Sequence, residues 1–152
     1  MGEAQGCQSK PRYTLGTSPD RCTGCTSCVL TCSFEHDGSF SLNRSRIRVE
    51  REEEQAVFTP QVCIQCPERF CIEACPVGAL SIHEVTGAIA VDGGTCTGCQ
   101  KCAVACPHGG IHFDNGCKVP LVCDLCGGNP RCIEVCQMPQ ALTLTTHGDS
   151  NQ

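Results

Sequence analysis

Apolar and polar positions alternate along this chain only in short bursts. Ala79-Leu80-Ser81-Ile82-His83 and Ala88-Ile89-Ala90-Val91 flank Glu84 to Gly87, which predicts two short strands joined by a Thr-Gly turn. Ile111-His112-Phe113 and Ala141-Leu142-Thr143-Leu144 have the same character. Residues 44–51 alternate with period two, so Ile47 and Val49 face inward while Arg44, Arg46 and Arg48 share the other face. That face reads as a solvated strand, or as a docking patch for an acidic partner. Residues 1–18 and 146–152 are polar and aperiodic, and are expected to be tails. No apolar stretch approaches the roughly 18 residues of a membrane span, so no transmembrane segment is expected.

Composition changes this picture. Five Phe, one Tyr and no Trp leave a thin protein core, whereas cysteine takes 18 of 152 positions. The N-terminus has no basic region followed by an apolar stretch, no small-residue cleavage site and no twin-arginine pair, so a cytoplasmic location is expected. In a reducing compartment, closely spaced thiols bind metal rather than form a disulfide scaffold. The formal charge of -5 becomes more negative once thiolates are counted, which argues against nucleic acid as a partner. Neither a Gly-x-Gly-x-x-Gly fingerprint on a strand-to-helix turn nor a P-loop is present, so no catalytic role is expected for the chain alone.

The candidate chemistry lies in four cysteine runs: Cys22, Cys25, Cys28, Cys32; Cys63, Cys66, Cys71, Cys75; Cys96, Cys99, Cys102, Cys106; and Cys123, Cys126, Cys132, Cys136. Each reads as a ligand loop, a short helix and then a strand. The first and third runs are Cys-x2-Cys-x2-Cys-x3-Cys, in which three thiolates wrap one iron-sulfur cube and the fourth points to a neighbouring cube. Pro76 and Pro107 disfavour helix at the cysteine before them. The second and fourth runs lengthen one gap, and Cys136 is followed by proline only at Pro139. Structural zinc takes two Cys-x2-Cys pairs, so a third closely spaced cysteine is surplus to a zinc scaffold. Cys7 and Cys117 are expected to be unligated, and His83 and His112 to be packing or surface residues. Arg21, Arg69, Lys101 and Arg131 lie next to or between ligands, where their charge can raise cluster potentials. Because ligation supplies folding free energy, the apoprotein is expected to be largely unfolded.

The four-run layout over residues 20–145 resembles the polyferredoxin electron-transfer subunits of the dimethyl sulfoxide reductase iron-sulfur family. The stretches CTGCTSCVLTCSFEHDGSF, SRIRV and VCDLCGGNPRCIEVC look most like the small subunits serving tungsten-dependent aldehyde oxidoreductases or carbon monoxide dehydrogenase. The resemblance implies an α+β fold, a duplicated two-cluster ferredoxin-like domain with short strands and short helices. It spans 19–145, with one module from 19–62 plus 117–145 and the other from 63–116. It implies four [4Fe-4S] clusters, held by Cys22, Cys25, Cys28 with Cys136; Cys123, Cys126, Cys132 with Cys32; Cys63, Cys66, Cys71 with Cys106; and Cys96, Cys99, Cys102 with Cys75. It further implies electron relay between a catalytic metalloenzyme subunit, with a tungsten or molybdenum cofactor, and a second redox subunit such as a flavoprotein, or a ferredoxin. The alternatives are a free polyferredoxin, or a subunit of a carbon monoxide dehydrogenase or hydrogenase. A row of clusters with two ends also allows head-to-tail self-association.

Overall fold

The structure is a computed structural model and describes residues 12–147. Its strands are β1 (Arg12–Thr17), β2 (Arg48–Glu52), β3 (Val57–Gln61), β4 (Leu80–Ile82), β5 (Ile89–Val91), β6 (Ile111–His112), β7 (Leu121–Val122) and β8 (Leu142–His147). The helices are α1 (Ser27–Asp37), α2 (Phe70–Ala74), α3 (Lys101–Ala105) and α4 (Arg131–Val135). Strands pair as two-stranded antiparallel ribbons, β1 with β8, β2 with β3, β4 with β5 and β6 with β7. Helices pair as well, α1 against α4 and α2 against α3. This mixed α/β arrangement of short elements nests the end of the chain against its beginning and leaves the middle as a second unit.

The hairpin expected over 79–91 forms, with Leu80 opposite Val91 and Ile82 opposite Ile89. Its turn closes because Gly87 takes φ +70° and donates its N–H to the His83 carbonyl at 2.9 Å. His83 Nδ1 accepts from the N–H groups of Val85 and Thr86, and buried His112 contacts the Gln61 carbonyl at 3.1 Å. Both histidines therefore serve packing and turns.

Two expectations are corrected. Residues 12–17 and 146–147 are not tails; they lie in the longest ribbon, in which β1 pairs with the strand expected at Leu142–Leu144, and Leu15, opposite Leu144, is wholly buried. Polar Thr and Gly positions mask this period, because only one face of the ribbon needs apolar side chains. The arginines of residues 44–48 do not form a free, solvated strand face. The strand begins only at Arg48, Ile47 is buried to 1 % exposure, and each arginine is engaged within the chain. Arg44 pairs with Asp37 at 2.9 Å, Arg46 with Asp124 at 2.9 Å, and Arg48 donates to the Phe113 carbonyl at 3.0 Å. Cys7 lies outside the described residues.

The core combines few aliphatics with many thiols. Leu15, Val29, Ile47, Val62, Ile89 and Leu125 are buried together with Cys28, Cys32, Cys63, Cys71, Cys102, Cys123 and Cys132. No helix among the described residues is long and apolar enough to cross a membrane.

Candidate metal centres

Each cysteine run curls by the same backbone device. The residue two places after the first cysteine is left-handed in all four: Gly24 at φ +69°, Gln65 at +59°, Gly98 at +74° and Leu125 at +59°. A left-handed residue reverses the chain within one turn, bringing thiols and backbone N–H groups to the inside of the loop. A second left-handed residue, Thr26, Arg69 or Gln100, precedes α1, α2 and α3; in the fourth run Pro130 cannot adopt it, and Cys126, Gly127 and Gly128 take positive φ instead. The fourth cysteines then leave their loops. Cys75, Cys106 and Cys136 cap their helices in nearly identical extended conformations, ψ 112°, 113° and 116°. Cys136 thus reaches the extended conformation without a proline directly after it, unlike Cys75 and Cys106. Cys32, with no proline after it, stays inside α1.

The consequence is four cavities, each lined by thiols of two runs. Cys22, Cys25, Cys28 and Cys136 line the first, here called station A. Cys32, Cys123, Cys126 and Cys132 line station B. Cys63, Cys66, Cys71 and Cys106 line station C. Cys75, Cys96, Cys99 and Cys102 line station D. Cys117 joins none of these; it lines a separate groove with Arg46, His83 and Val119.

Burial makes these thiols hard to ionise without a cation. It pushes Cys28 and Cys132 up to about 12 and Cys63 up to about 11, with neighbouring thiolates adding to the effect. Cys123 is raised further for the same reason. Four thiolates converging on one apolar cavity are the donor set a cubane cluster takes, and its iron supplies the missing positive charge, so the residues present fit that group.

Packing sets the stations side by side. Helix α1, which carries Cys28 of A and Cys32 of B, packs against α4, which carries Cys132 of B; Gln65 on the loop of C donates to the Cys123 carbonyl of B; and α2, with Cys71 of C, packs against α3, with Cys102 of D. The order is A, B, C, D. Exposure follows it: Cys25 of A and Cys99 of D are exposed, whereas every thiol of B and C is buried or half-buried.

Station B carries a polar cage that the sequence reading missed. Asp124 accepts from the Cys126 N–H at 2.9 Å, pairs with Arg46 at 2.9 Å, and faces His36 Nε2 at 2.9 Å. Burial opposes ionisation of Asp124, yet the His36 hydrogen bond and the Arg46 charge outweigh it and hold the carboxyl well below its usual range. The Asp124 contact, with Cys32 second, lifts His36 to about 10. Burial also works against ionisation of Cys32, but His36, the Arg46 N–H and Ser45 lower it on balance, unlike the other buried thiols. The available signal was spacing: His36 lies one helical turn after Cys32, on the same face. Arg69, by contrast, was among the charges expected near the ligands; it donates to Gln65 Oε1 and the Gly87 carbonyl at 2.8 and 2.7 Å and eases ionisation of Cys63.

Comparison with known proteins points to the same kind of cofactor. The 4Fe-4S dicluster domain family matches residues 21–80 and, in a second form, residues 62–110. The polyferredoxin-like subunit of an aliphatic sulfonate oxidoreductase from Pyrococcus furiosus is 44% identical over 125 residues, covering 82% of this chain and 72% of that protein. The beta subunit of the NADH-dependent phenylglyoxylate dehydrogenase of Aromatoleum evansii is 33% identical over 141 residues, covering 91% of this chain but 32% of that one. A subunit of the tetrathionate reductase of Salmonella typhimurium is 31% identical over 137 residues, covering 82% of this chain and 54% of that one. This chain thus spans a third to a half of the latter two. Among solved structures, the BamBC active-site complex of benzoyl coenzyme A reductase contains a similar chain, with TM-score 0.56 and 24% identity over 94% of this chain and 80% of that one. That likeness shows the fold alone.

Proposed function

The chain belongs to the family of 4Fe-4S polyferredoxin-like subunits of oxidoreductases, non-catalytic components that transfer electrons, and from that premise we propose how this one is wired. Four [4Fe-4S] clusters, bound one per station, supply the one-electron redox chemistry. Station A is held by Cys22, Cys25, Cys28 and Cys136, B by Cys123, Cys126, Cys132 and Cys32, C by Cys63, Cys66, Cys71 and Cys106, and D by Cys96, Cys99, Cys102 and Cys75. The repeated pairing of α1 with α4 and α2 with α3 supports a duplicated two-cluster unit.

The observation that carries the reading is exposure along the row. Cys25 at A and Cys99 at D are exposed, and the thiols between them are not. A relay needs two ends that partners can approach and an interior that excludes water, and this chain has both. At the D end, Val104 on α3 is 87% exposed beside the ligand Cys102, an apolar side chain that a docked partner would cover.

One partner in this proposal is the catalytic subunit of an oxidoreductase, with a tungsten or molybdenum cofactor and an aldehyde substrate favoured by the motif resemblance. The other is a flavoprotein subunit or a ferredoxin, and the complex is cytoplasmic. The test is anaerobic purification of the tagged protein from its own host, with mass spectrometry of co-purifying chains and elemental analysis. A stoichiometric tungsten or molybdenum subunit is the expected result. Nickel would point to carbon monoxide dehydrogenase or hydrogenase, and iron alone to a free polyferredoxin.

A further inference from the structure

We propose that His36 is a positioning residue that makes station B the electron sink of the relay, donating toward the Cys32 sulfur while Asp124 holds its ring. This rests on the ligand grouping proposed above. His36 Nδ1 lies 2.9 Å from the Cys32 carbonyl and 3.8 Å from Cys32 Sγ, and Nε2 lies 2.9 Å from Asp124 Oδ1. His36 Nδ1 thus faces both the carbonyl and the sulfur of a cluster ligand, while Nε2 faces a carboxylate. The ring cannot swing away. It is 15 % exposed, anchored at one end to its own helix and at the other to a carboxylate 88 residues along the chain.

Arg46 adds to the same field. Its backbone N–H donates to Cys32 Sγ at 3.4 Å, while its guanidinium pairs with Asp124 Oδ2 at 2.9 Å. Asp124 is fixed in turn by the Cys126 N–H at 2.9 Å, on the loop between two ligands of station B. The cage thus sets two nitrogen donors on one ligand sulfur, His36 Nδ1 and the Arg46 N–H. Among the described residues, no other of the sixteen ligand thiols has a histidine nitrogen within hydrogen-bonding reach. At station C the nearest comparable charge, Arg69, is turned toward Gln65 Oε1 and the Gly87 carbonyl.

When station B accepts one electron, the neighbouring station is oxidised by one, and station B gains one negative charge. Hydrogen-bond donors at its sulfur favour that reduced form and raise its potential. An electron arriving from either end therefore rests at B, next to the exposed end at A.

The experiment is a redox titration of the anaerobic holoprotein followed by electron paramagnetic resonance, with iron content measured on every sample. In the wild type, station B should titrate at the highest potential. His36→Leu should lower that one potential and leave the other three in place. His36→Gln, which keeps a donor, should lower it less, and Arg46→Gln, which frees the Asp124 carboxylate that holds the ring, should lower it too. If His36→Leu fails to assemble, His36→Gln and Arg46→Gln carry the test. Four unchanged potentials, a common shift of all four, or a shift confined to a lower-potential station would overturn the proposal. Cys32→Ser and Cys123→Ser should perturb the same signal as each other. If they perturb different signals, the ligand grouping itself is wrong, and the proposal falls with it whatever His36 does.

Discussion

Gln65 donates from Nε2 to the Cys123 carbonyl at 2.7 Å, tying the second cysteine run to the fourth across the boundary between stations B and C. Its Oε1 accepts from the Ile89 N–H at 3.1 Å and from Arg69 at 2.8 Å, and the residue is 3% exposed. One side chain thus fixes two ligand loops and the β4-β5 hairpin. Gln65→Leu leaves a buried carbonyl and a buried N–H without partners, at about 1–3 kcal/mol each. The holoprotein should unfold at lower denaturant concentration, read by loss of its visible absorbance. A midpoint equal to the wild type would show that water replaces the amide at no cost.

The glycines give a paired comparison. A Cβ on Gly110 would lie 2.6 Å from Cys63 Cα and 2.7 Å from Cys63 N, a backbone clash that no rotamer relieves. Gly116 has nothing within 4 Å of the same position. Gly110→Ala should therefore lose iron from station C, whereas Gly116→Ala should keep the full complement. Iron analysis and thermal stability of the two variants decide the matter, and equal behaviour would contradict the packing of β6 against the Cys63 loop.

The cysteine runs were legible because ligand geometry demands fixed residue types at fixed spacing. The hairpin over 79–91 was legible because its turn needs glycine at a left-handed position. The loops of the second and fourth runs hid the same turn, since Gln65 and Leu125 occupy it; the amide contacts of Gln65 and the complete burial of Leu125 hold conformations their side chains disfavour. Of the β1-β8 ribbon only the start of β8 was legible; β1 was not, because its partner lies at the opposite end of the chain and it contributes few apolar residues. The cage around station B was hidden for a related reason. His36, Arg46 and Asp124 are ordinary surface types in sequence, and only the return of the fourth run onto α1 brings them together.

Removal of iron should unfold the chain. Burial holds Cys28 and Cys132 near 12 and Cys63 near 11, so the empty cavities can keep neither thiolate charge nor a filled core. Treatment with chelator and oxidant should abolish the far-ultraviolet circular dichroism of the native protein. Retention of that signal would mean that the aliphatic core suffices alone.

The His36–Asp124 pair should give stability a defined pH dependence. Asp124 is held below its usual 3.8, so its contribution is present above that value and lost as pH falls. His36 is raised from 6.5 to about 10, so its contribution is complete below 6.5 and disappears as pH rises through 10. The stability difference between wild type and His36→Leu should be largest between about pH 4 and 6.5 and should close toward pH 10. Denaturant midpoints of the two proteins across pH 5 to 10 test this; a difference that grows with pH would have the wrong sign.

Cys75 offers the most direct test of ligand exchange. It belongs to the second run by sequence, yet it lines the cavity of Cys96, Cys99 and Cys102, and the Ala79 N–H donates to its sulfur at 3.2 Å. If each run kept its own cluster, Cys75→Ala would damage station C. If the fourth thiol crosses over, the same variant damages station D and leaves C intact. Cys106→Ala should then do the reverse, because Cys106 lines the cavity of Cys63, Cys66 and Cys71. The cross-pattern is read by comparing the paramagnetic signals of the two variants with those of Cys66→Ala and Cys99→Ala. Cys75→Ala should match Cys99→Ala, and Cys106→Ala should match Cys66→Ala. The opposite matching would mean that the extended cap at Cys75, with ψ 112°, directs the thiol elsewhere.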